Sequence, residues 1–120
     1  MNNFNLIALE SAARIDTNNS EDLTNSQQRG CHVIIDVTAI NASPSVIPKI
    51  QGKDSVSGKY YDLLTGTAIT GTGTTVLKVY PGITVATNVS VSDILPVKFR
   101  ILMTHGNADS ITYSVGVNLV

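Results

Sequence analysis

The chain has no tryptophan, a single cysteine and few charges. The lone Cys31 excludes an internal disulfide framework, and its place before an apolar run predicts a buried free thiol. Charged residues make up 14% of the chain, against roughly a quarter in ordinary soluble domains. Lys49, Lys53, Lys59, Lys78, Lys98 and Arg100 are scattered singly and the net charge is −1. The electrostatic footprint of a nucleic-acid binder is therefore missing. No apolar run approaches the roughly 18 residues of a transmembrane helix. The opening MNNFNLIALESAAR has neither the basic stretch nor the long apolar stretch of a signal peptide. The expectation is synthesis in a cytoplasm with no membrane anchor.

What is present is a core-former's composition. Hydrophobic residues are 42% of 120, enough for one domain with one core. Thr, Ser and Asn stand where charges usually do, which suits a protein that works within an assembly. The stretch from Pro48 to Gly82 sets the pattern, with β-branched and aromatic runs broken by Gly and Asp where the chain must reverse.

Read in order, most of the chain is strand. Ile7, Leu9, Ser11, Ala13 and Ile15 alternate with Ala8, Glu10, Ala12 and Arg14. That fits a half-buried strand, although propensity also allows a short helix over Leu6–Arg14; the β character downstream favours the strand. Asp16 to Arg29 is polar apart from Leu23 and reads as a long surface loop that is either mobile or in contact with a partner. Gly30–Thr38 is the best core strand, with Cys31, Val33, Ile35 and Val37 on one face. Val46–Gln51 follows, and Pro48 predicts an edge strand or one paired on one side only. Tyr60–Leu64, Thr67–Thr70 and Thr74–Tyr80 come next, then a long crossing between sheets over Ile83–Pro96, with room for one short strand. Val97, Phe99, Ile101 and Met103 point inward on the next strand. His105–Asp109 reads as a hairpin loop into Ser110–Leu119. Seven or eight short strands at this spacing predict an all-β fold, a two-sheet antiparallel β-sandwich of immunoglobulin-like or jelly-roll-like topology. The sequence divides into an N-terminal strand with a polar arm or loop (1–29) and a sandwich body (30–120) within one domain.

The residues offer little catalytic chemistry. Cys31 and His32 are neighbours on a strand and face opposite ways. His32 and Asp36 lie roughly 13 Å apart by strand rise, too far to share a metal. His105 and Asp109 flank one loop and suit a hydrogen-bonded brace. Gly66–Gly73 lacks the Lys and the helix of a phosphate loop. Asp54 and Asp62 lack the third acid of a calcium site. Asn18, Asn41 and Asn88 head glycosylation triplets that mean nothing without a secretory route. Tyr60, Tyr61, Tyr80 and Tyr113 are either core residues or, where exposed, a contact or sugar-stacking platform; Tyr60 reads as the most exposed. No enzyme activity, cofactor or metal is expected.

Three stretches carry a resemblance. Ile50-Gln51-Gly52-Lys53-Asp54, running through Ser57-Gly58-Lys59 into Tyr60-Tyr61-Asp62-Leu63-Leu64, resembles an element of small phage and prophage proteins. Val79-Tyr80-Pro81-Gly82 and Thr104–Gly116 look like stretches of the same group. The resemblance spans about Gly30 to Val120 and is to virion structural proteins of tailed bacteriophages, in particular head decoration (cement) proteins. It implies no catalytic residues. It implies a virion protein assembled in the host cytoplasm, binding the major capsid protein as a homo-oligomer such as a trimer, with neither nucleic acid nor membrane as partner. On that reading the N-terminus, the polar segment and the 53–59 loop grip the shell, and the contact candidates are Phe4, Asp16, Asn18, Asn19, Glu21, Asp22, Lys53, Asp54, Lys59 and Tyr60. A tail component and a small carbohydrate-binding module using Tyr60, Tyr61 and Tyr80 are the alternatives.

Overall fold

The computed structural model describes residues 4–25 and 27–120, Phe4 by its backbone alone. Among the described residues the strands are β1 (Phe4–Arg14), β2 (Asn18–Asn19), β3 (Leu23–Thr24), β4 (Cys31–Ile40), β5 (Val46–Lys53), β6 (Tyr60–Thr65), β7 (Gly73–Val79), β8 (Ser90–Val91), β9 (Lys98–His105) and β10 (Ile111–Leu119). One sheet runs β1-β10-β4-β7-β8; the other runs β2-β9-β5-β6, with β3 also on β9. The fold is the expected β-sandwich. Its seven longer strands match the expected number, and three two-residue strands bring the total to ten.

The pairings nest. β1 pairs with β10, β2 and β3 with β9, β4 with β7, and β5 with β6. The chain is thus one long antiparallel ribbon that turns back at the β5–β6 hairpin. Successive rungs fall in opposite sheets, and rolling the ribbon sews β10 to β4 and β9 to β5. That nesting is a jelly roll; an immunoglobulin sandwich groups its strands differently. The ladder departs from antiparallel at β8, which runs parallel to β7.

Alternation fills the core. Cys31, Val33, Ile35 and Val37 of β4 and Ile111, Tyr113, Val115, Val117 and Leu119 of β10 are buried from one side. Val46 and Ile50 of β5 and Phe99, Ile101 and Met103 of β9 meet them from the other. Each such side chain contributes about 1.5–3 kcal/mol by leaving water.

Several expectations need correction. The last two strands are not a hairpin, since β9 and β10 lie in different sheets and residues 106–110 arch between them. Two strands facing each other across a core alternate just as two paired strands do, so periodicity alone does not separate an arch from a hairpin. β5 is not an edge, because it is paired on both sides. Pro48 is tolerated because β6 ends at Thr65; beyond it Gly66 N–H donates to the Pro48 carbonyl at 2.8 Å, and no donor is asked of the proline. Val97 is 62% exposed rather than inward, because β9 begins one residue later. Thr67–Thr70 is no strand, only a bridge from Ile69 to Val46.

Strand β1 forms as expected, but its faces do not alternate simply. Register shifts fall between Ile7 and Leu9 and between Leu9 and Ala12. Leu6, Ala8 and Leu9 pack on the core while Ile7 is 68% exposed. Arg14 fills the bulged end: its guanidinium donates to the carbonyls of Glu10 (2.5 Å), Ala12 (3.2 Å) and Tyr113 (2.6 Å).

The polar segment after β1 is not a free loop. Ser20 N–H donates to Ile101 O, and Ser20 Oγ accepts from Ile101 N, both at 2.9 Å. Asn25 N–H donates to Val97 O at 2.7 Å, and its buried side chain ties Gln28 to Leu95 O. Small polar side chains here complete a sheet edge that apolar patterning does not reveal. Strands β1, β2 and β3 therefore lie at the edges of the two sheets, so a truncation to Arg29 is not expected to leave an intact body. Such a truncation should abolish the cooperative urea transition followed by circular dichroism. The milder Ser20→Ala, which orphans the buried Ile101 amide, should cost about 1–3 kcal/mol; a midpoint unchanged from wild type would contradict this edge.

Candidate functional site

The outward face of the second sheet carries a continuous polar network that links β5, β6 and β9. Alternation puts Lys49, Gln51 and Lys53 outward on β5, and register sets Arg100 beside Gln51, Asp62 beside Gln51 and Tyr60 beside Lys53. Gln51 is the hinge of the network. Its amide donates to Asp62 Oδ1 at 2.8 Å and its carbonyl accepts from Arg100 Nε at 2.9 Å. Both bonds fix the orientation of a side chain that is itself buried.

Tyr60 reaches from β6 toward the turn before β3. Its hydroxyl donates to Asp22 Oδ1 at 2.5 Å, while Lys53 Nζ bonds Asp22 Oδ2 at 2.7 Å. The Arg100 guanidinium lies 3.6 Å from the Tyr60 ring centroid, and Lys53 Nζ lies 5.5 Å from it. Arginine on an aromatic face is a favourable cation–π pair. Lys49 bonds Asp62 at 3.4 Å. The hydrogen bonds from Lys53 and Tyr60 hold the Asp22 carboxyl below its ordinary range, and Asp22 in turn raises Lys53. The Gln51 amide does the same for Asp62, with Lys49 assisting.

A second cluster closes the end of the sandwich near the β9–β10 arch. The buried Tyr113 hydroxyl accepts from Asn18 Nδ2 at 2.7 Å and lies 2.9 Å from His105 Nε2. His105 Nδ1 is buried and has no hydrogen-bond partner among the described residues. Burial pushes the His105 pKa down, favouring the neutral ring, and pushes Tyr113 up. Arg14 lies 4.6 Å from the Tyr113 ring centroid. His105 does not brace Asp109: that carboxylate instead accepts from Ser43 N–H at 3.1 Å.

The contact candidates therefore scatter. Asp22, Lys53 and Tyr60 come together on the sheet face. Asn18 turns inward to Tyr113. Asp54 caps its own turn, accepting from the Ser57 hydroxyl, Val56 N–H and Ser57 N–H, which lowers its pKa. Asp16, Asn19, Glu21 and Lys59 are exposed, and the Asn19 amide bonds Ser20 O. The Phe4 side chain lies outside the described residues. Gln51, Asp62 and Arg100 were not among the candidates; alternation already places Gln51 and Arg100 outward, but only the register joins them. Tyr61, not Tyr60, is the more exposed of the pair at 47%. It packs over Gly52, where an added Cβ would stand 2.5 Å from the Tyr61 ring and 2.9 Å from Pro96.

The chain matches no protein-family model, no curated protein and no solved structure.

Two measurements check this electrostatic account. Asp22 and Asp62 bind fewer protons folded than unfolded near their ordinary value of 3.8. Their contribution is complete above that value and is lost as pH falls through the lower folded values. Asp22→Asn should flatten the acid limb of a profile of urea midpoint against pH, and an unaltered limb would contradict the network. Burial pushes the Cys31 thiol up to about 12. Native protein should thus resist a thiol reagent at mildly alkaline pH and react once unfolded; rapid native labelling would contradict its burial.

Proposed function

We propose that the chain is a structural protein of a phage virion, placed on the head as a decoration protein that binds and stabilises the shell of major capsid protein. The observation that carries this reading is the nested ribbon rolled into a jelly roll, an architecture that viral shell proteins use. That support is an analogy of fold. It joins the resemblance borne by Ile50–Leu64, Val79–Gly82 and Thr104–Gly116, which draws on sequence and not on topology. The low charge and the cross-braced sheet face suit a part that gains strength from many repeated contacts in an assembly, here as a homo-oligomer.

The carbohydrate reading needs Tyr60, Tyr61 and Tyr80 on one platform. Tyr60 lies across the outer sheet face, Tyr61 covers Gly52, and Tyr80 stands beside Gly30. Three rings in three places make no joint stacking surface, which favours the virion reading.

Gold-conjugated antibody raised against the chain should label the heads of virions released by cells that encode it. Label confined to tails would move the protein to the tail, and unlabelled particles would overturn the virion reading.

A further inference from the structure

We propose that Arg100 is the docking point for a carboxylate side chain on the protein partner of the second sheet's outer face; this rests on the decoration reading for who the partner is, and on geometry for the chemistry. The guanidinium is held on two sides. Its Nε donates to Gln51 Oε1 at 2.9 Å, and its Cζ lies over the Tyr60 ring, 3.6 Å from the centroid. Both supports are themselves fixed, Gln51 by Asp62 at 2.8 Å and Tyr60 by Asp22 at 2.5 Å. The two terminal nitrogens have no hydrogen bond or ion pair among the described residues, and neither is sealed from solvent: the buried unpartnered side-chain atoms among those residues are Asn18 Oδ1 and His105 Nδ1, both in the Tyr113 cluster. Arg100 thus offers the terminal edge of its fork with the side chain already ordered, which lowers the entropy cost of binding.

The neighbouring cations are engaged. Lys53 bonds Asp22, Lys49 bonds Asp62, and Lys98 donates to Thr24 Oγ1 at 2.7 Å. The face still attracts an acid. Strands β5, β6 and β9 carry Lys49, Lys53, Lys98 and Arg100 against the single carboxylate Asp62, in a chain whose net charge is −1. Asp22, from the turn, leaves a cationic surplus. One planar fork matches one carboxylate through two parallel N–H···O bonds. A nucleic-acid strand would need several free cations in a row along its phosphates, and the lysines here are occupied. Tyr and Arg at the centre of a patch are also the residues that most often anchor protein interfaces.

The test has two arms. In the first, the isolated chain, labelled for NMR, is titrated with sodium acetate against chloride at constant ionic strength, and with oligothymidylate in parallel. A saturable shift of the Arg100 Nε–H and Tyr60 ring signals with acetate, absent in Arg100→Lys, is the expected result. No saturable shift at Arg100, or oligothymidylate bound through the same signals, overturns the proposal. In the second, wild type and Arg100→Lys of equal melting temperature are sedimented with assembled heads. The variant keeps the charge and loses the fork, and should bind roughly tenfold or more weakly, the loss expected for one bidentate charged pair. Equal binding of the two overturns the carboxylate docking and leaves the decoration reading standing. No binding by either overturns the decoration reading, and the acetate arm alone then decides the chemistry at Arg100.

Discussion

The sandwich depends on the seam between β4 and β10. These strands pair along their whole length, from Ile40 against Ile111 to Cys31 against Leu119. Each also has a partner on its other side, β7 for β4 and β1 for β10. Their inward side chains, Tyr113 and Ile35 among them, are wholly buried. The seam joins residues far apart in the chain, so its formation carries a large loop-closure cost before any pairing rewards it. Once made, it brings the two legs of the ribbon together, and β9 then falls against β5 in the facing sheet.

Closing that roll leaves edges, and the chain treats them with polar side chains. Arg14 fills the bulged end of β1 by donating to three carbonyls. Ser20 completes the ladder of β9 where a two-residue strand runs out. Asn25 pins the following turn to Leu95. Edges that are bulged, as in β1, or only two residues long, as in β2 and β3, do not readily recruit foreign strands. The same economy of charge leaves the second sheet's outer face as a rigid surface, cross-linked from Lys49 through Asp62, Gln51 and Arg100 to Tyr60, Asp22 and Lys53.

Much of this fold is legible in the sequence because strand alternation is strict where both faces are defined. Cys31 to Val37 and Ile111 to Leu119 are buried on the expected residues. What is not legible is pairing. The arch at 106–110 has the Gly and Asn of a hairpin, and nothing local says that the strands around it belong to different sheets. The central position of β5 is masked by Pro48, whose missing N–H matters only on the side where β6 has stopped. The role of Asp16–Arg29 is hidden for a related reason: Ser20 and Asn25 act through single hydrogen bonds to distant backbone, which no periodicity records. Of the candidate site, Asp22, Lys53 and Tyr60 could be named from their loops, whereas Gln51 and Arg100 acquire meaning only from cross-strand register.

Residue-resolved native-state hydrogen exchange tests the rolled ribbon most directly. If β4 and β10 form its central seam, their paired amides should exchange only through global unfolding, with the free energy of the urea transition. The Ile101 amide, bonded to Ser20 Oγ from outside its own strand, should be protected as well. Faster exchange of β4 and β10 than of the β5–β6 hairpin, or an unprotected Ile101, would contradict it.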